Sequence, residues 1–75
     1  MIKKLENIAK MAISEKMQQM IFLLRDASIE APKTDSAEFH LYAEIVRDVF
    51  QSKQIFSRDK MRFAEAINHW GIPVF

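Results

Sequence analysis

A single glycine, Gly71, stands in 75 residues, and that scarcity limits the folds open to the chain. Glycine supplies the positive-φ positions on which tight hairpins and phosphate-cradling loops depend. A chain almost without it winds helices and joins them with ordinary turns. The glycine-rich nucleotide-binding signatures need at least two glycines and are excluded. The sequence therefore reads as all-α, a small bundle of three to four helices in a single domain over 1–75.

Hydrophobic periodicity draws those helices. Ile2, Leu5, Ile8, Ala12, Ile13, Met17, Met20, Leu24 and Ala27 recur at steps of three and four, the period of one helix face. They predict one long helix over about 2–28, or two abutting ones with Ser14 placed to cap the second and allow a bend there. Around Met20–Leu24 the apolar groups spread over most of the circumference, so this stretch needs cover on all sides. Pro32 closes the first unit, because the residue before a proline is pushed out of the α region.

A second helix is expected over 36–52, with Asp35 as its N-cap and Glu38 completing a capping box. Phe39, Tyr42, Ala43, Val46, Val49 and Phe50 share its inner side, and His40, Glu44, Arg47, Asp48 and Gln51 its outer side. Leu41 falls at the edge of the stripe, beside Asp48, as a candidate for exposure. Ser57 reads as the cap of a third helix over 58–70, with Met61, Ala64 and Ile67 inward and Phe63, Ala66 and Trp70 beside them. Gly71 then suits the C′ position of a Schellman stop, bringing Ile72 against Ile67, with Pro73 preventing continuation.

Function is constrained mostly by exclusion. There is no cysteine, so disulfides, thiolate catalysis and cysteine-bound zinc are all out. His40 and Glu44 share a helix face, but two ligands do not make a metal site. No serine lies in a nucleophile-elbow sequence, and His69 is explained by the negative end of a helix dipole. The chain is therefore expected to be no enzyme, to need no cofactor or metal, and to take no small-molecule substrate. A net charge of +1 gives little general attraction to nucleic acid or to an anionic membrane. Charges break up the segment after Met1, and the longest apolar run, Met20–Leu24, is far too short to span a bilayer. A soluble, cytoplasmic protein is expected.

The positive signal is apolar excess. Hydrophobic residues make up 49% of the chain, with six phenylalanines, five methionines and one tryptophan. A domain this small hides only about 60–65% of its unfolded surface, and no disulfide or metal adds support. A partner surface is the expected remedy. Met11, Phe22, Leu23, Leu41, Phe56, Trp70 and Phe75 are its candidate residues, since methionine adapts to partner helices and aromatic side chains anchor interfaces. The chain thus reads as a regulatory or adaptor protein that binds a protein partner or itself, as a homodimer. The alternative is a helix-turn-helix-like DNA-binding regulator reading with helix 58–70 through Arg58, Arg62, Asn68 and His69. Glu65 in the middle of that face weighs against it.

Overall fold

The computed structural model describes residues 2–70 and contains four helices: α1 (Ile2–Ala9), α2 (Ile13–Arg25), α3 (Ala37–Gln51) and α4 (Ser57–Asn68). The all-α expectation holds. The Gly71 stop and Phe75 lie outside the described residues.

Of the two arrangements open to residues 2–28, the chain takes two helices. A straight helix over 2–28 would be about 40 Å long, whereas the longest dimension of the fold is 29 Å. The break falls at Lys10–Ala12, where nothing in the side chains requires it. Lys10 N–H and Met11 N–H donate to the carbonyls of Asn7 and Ile8 at 3.2 and 3.0 Å, tightening the last turn. Ala12 then turns extended (φ −60°, ψ 153°) and caps α2 without a side-chain hydrogen bond. Ser14 is not the cap; it lies inside the first turn of α2. Lysine, methionine and alanine are good helix formers, so the break answers to packing. It lets Leu5 and Ile8 of α1 and Met20, Leu23 and Leu24 of α2 enter the same core.

Helix α2 ends at Arg25, short of residue 28. Asp26 stops it with an Asx turn: the backbone N–H and hydroxyl of Ser28 donate to Asp26 Oδ1 at 2.9 and 2.6 Å. These bonds hold the Asp26 carboxyl below its ordinary value of 3.8. The cap of α3 is Ser36, not Asp35. Its Oγ accepts from Phe39 N–H at 3.1 Å and donates to the Lys33 carbonyl at 2.6 Å. The third residue after that cap is Phe39, so Glu38 completes no capping box. The cap of α4 is Phe56, with no side-chain hydrogen bond; Ser57 is the first helical residue.

Helix α2 is the hub. The other three helices all lie against it, and α1 also lies along α3. Tyr42, Phe63, Leu5, Met20, Leu23, Ile45, Val46 and Val49 are the largest fully buried side chains. The inner side expected for α3 holds, with Tyr42, Ala43, Val46 and Val49 buried and Phe39 and Phe50 half-buried. Phe50 meets Phe63 at 5.4 Å between ring centroids, tying α3 to α4. The radius of gyration, 11.3 Å, matches the ~11 Å expected of a compact chain of this length.

Candidate interaction surface

The solvent side of each helix follows from its wheel. On α2 the exposed positions are Ser14, Glu15, Gln18, Phe22 and Arg25, a stripe about 100° wide. Phe22 is its one large apolar member, at 62% exposure. On α4 the exposed stripe is Arg58, Met61, Arg62, Glu65, Asn68 and His69, with Met61 at 67% its one apolar member. Phe56, at the α4 cap, is 75% exposed. The cap position carries it off the inner side that Phe63, Ala66 and Ile67 occupy.

The candidate contact residues therefore separate. Phe22 and Phe56 stand in solvent. Leu23 does not: at 2% exposure it belongs to the core, because α1, α3 and α4 together cover most of the circumference of α2. Met11, Leu41 and Trp70 are half-buried and pack against the core. Leu41 is thus less open than its place beside Asp48 suggests. Phe75 lies outside the described residues. Met61, expected inward, is a correction, with Ala64 only half-buried; α4 rests chiefly on α2 and buries Phe63, Ala66 and Ile67 instead. The sequence does carry the clue, since Met61 falls between Glu65 and Asn68 on the wheel.

Arg58, Arg62, Asn68 and His69 are all exposed on the α4 stripe, together with Glu65. The negative charge within that row breaks its complementarity to phosphate.

Two polar groups are drawn inward. Lys16 is buried between helices, and its Nζ lies 3.4 Å from Asp48 Oδ2 on α3. Among the described residues the Tyr42 hydroxyl is buried with no hydrogen-bond partner. Its ring lies 5.2 Å from that of Trp70 and 6.1 Å from that of Phe39. Burial pushes its pKa from 10.0 up to about 12.

One open cleft, of about 640 Å³, lies between α1, the 28–33 loop and the start of α3. Ile29, Ala31 and Pro32 line it, and Lys4 and Lys33 share it with Glu30 and Glu38. Charges of both signs leave it without a preferred ionic ligand. Among the described residues no group of three or more histidine, aspartate or glutamate side chains is placed to hold a metal. No helix among them is long and apolar enough to cross a membrane. No family model, curated protein or solved structure matches the chain.

Proposed function

We propose that the protein is a non-catalytic binding module, regulatory or adaptor in role and cytoplasmic, that engages protein through Phe22, Phe56 and Met61. The observation carrying this reading is the isolation of each large apolar side chain in an otherwise polar setting. Two of them interrupt helix stripes whose other members are polar or charged, and the third occupies a cap that favours a small polar residue. Large aromatic and thioether groups held in water are the kind of anchor that interfaces use. Surrounding charges such as Arg25 and Asp26 would set register and encounter rate more than affinity.

A photo-reactive benzoylphenylalanine placed at position 22, 56 or 61 in cells making the protein tests this reading. Controls carry it at Glu44 and Arg47, on the outer face of α3. Protein adducts are expected from the first set and not from the controls. Equal labelling at all five positions, or labelling at none, would sink the reading.

The second reading, a DNA-binding regulator, draws support from the shared exposure of Arg58, Arg62, Asn68 and His69. Glu65 counts against it, and so does the seating of α4 chiefly on α2, with lesser contact to α3, the helix it would pair with in a helix-turn-helix.

A further inference from the structure

The outer stripe of α2 carries charge in an order that is complementary to itself. Glu15 stands in the first turn, Arg25 in the last, and Gln18 and Phe22 between them, all exposed. A second α2 laid antiparallel, with a two-fold axis midway between Gln18 and Phe22, brings Glu15 opposite Arg25 of the other copy. The same operation places the reverse pair at the far end, and each Phe22 opposite a Gln18. The two Phe22 positions are then offset by only about 6 Å along the axis, so both rings fall at the centre of the seam. A shallow crossing of about 20° keeps both ends of such a pair in reach.

We propose that this stripe is the interface of a homodimer: an antiparallel α2–α2 seam anchored by Phe22 and held in register by two Glu15–Arg25 pairs. The proposal rests on the protein-binding reading above and names the partner as a second copy. Three observations favour that occupant. The stripe is neutral, with one carboxylate and one guanidinium, so it offers no net attraction to nucleic acid or to an anionic membrane. Its charges match under the symmetry most homodimers use. The polarity of α2, acidic at its start and basic at its end, suits its own macrodipole, and an antiparallel neighbour meets that dipole favourably too. The seam is short, and its area falls at the low end for specific interfaces. Dissociation constants on the order of 10–100 µM are therefore expected.

Sedimentation equilibrium on the purified full chain, from about 10 µM to about 1 mM, reads the association. The average mass is expected to rise from 8.8 kDa toward that of two chains, and Phe22→Glu is expected to hold it at one. Glu15→Arg and Arg25→Glu each turn both cross-pairs into like-charge contacts, so each alone should weaken association about tenfold or more. Mixed in equal amounts, the two variants regain both opposite-charge pairs, and the mixture is expected to associate at least as well as the unaltered protein. Recovery on mixing also shows that both variants are folded. A monomer throughout the concentration range would overturn the proposal. So would association of the unaltered protein without recovery in the mixture, which would put the contact elsewhere. Either failure leaves site-specific crosslinks at positions 22, 56 and 61 standing, and with them the broader reading.

Discussion

Tyr42 is fully buried in the core, and no described residue pairs with its hydroxyl there. A buried donor without a partner costs about 1–3 kcal/mol, while the ring itself is well used between Phe39 and Trp70. Tyr42→Phe keeps the ring and removes the orphan, so stability is expected to be unchanged or to rise by about 1 kcal/mol in urea unfolding. The same hydroxyl predicts an alkaline response. Its folded pKa is raised, from 10.0 to about 12, so the unfolded chain loses the proton first. Stability is full below pH 10 and falls as pH rises from about 10 to about 12. In Tyr42→Phe that decline should vanish. A tyrosine on the inner side of a helix was readable from the pattern. That its oxygen would find no partner among the described residues was not, because that depends on which side chains three other helices bring to it.

At the scale of elements, the apolar rhythm of α3 was legible, and the exact starts of helices were not. Ser36 sits next to Asp35, and both are good caps; the bond from Phe39 N–H to Ser36 Oγ decided between them. The break at Lys10–Ala12 has no local signal at all, since residues that propagate a helix gave way to the placement of Leu5 and Ile8. Helix α4 shows the reverse case: Ser57 is a good cap by type, yet Phe56 occupies the cap. Replacing it tests whether that choice serves stability. Phe56 buries little, so Phe56→Ser should raise unfolding stability by about 1 kcal/mol through a new hydrogen bond to the first turn. If Phe56 is a partner contact, the same change should lower crosslinking at positions 22 and 61. A loss of stability instead would mean that the ring packs more than its 75% exposure implies.

For the whole molecule, four short helices bury more of the apolar content than a count of side chains suggests. The hub position of α2 explains it, because α1, α3 and α4 all close on its inner side and leave one narrow stripe open. Neighbouring residues of that helix should therefore behave in opposite ways. Leu23→Ala opens a cavity at the centre and is expected to cost about 3 kcal/mol, a large share of the roughly 4–11 kcal/mol available to a domain this size. Phe22→Ala should leave stability within about 0.5 kcal/mol while weakening association. Comparable destabilisation by the two would contradict the arrangement. Apolar excess was visible in the composition, but its division between core and surface was not. The wheel places Phe22 and Leu23 only about 100° apart, and what separates them is the covering supplied from elsewhere in the chain.

Trp70 is the only tryptophan, and it rests against the only tyrosine. The pair spans the end of α4 and the first half of α3, so light absorbed by Tyr42 passes to the indole most efficiently while those two parts remain docked. Excitation transfer between two natural chromophores thus gives this protein an intrinsic, label-free gauge of its own closure, readable in dilute solution on a fluorimeter.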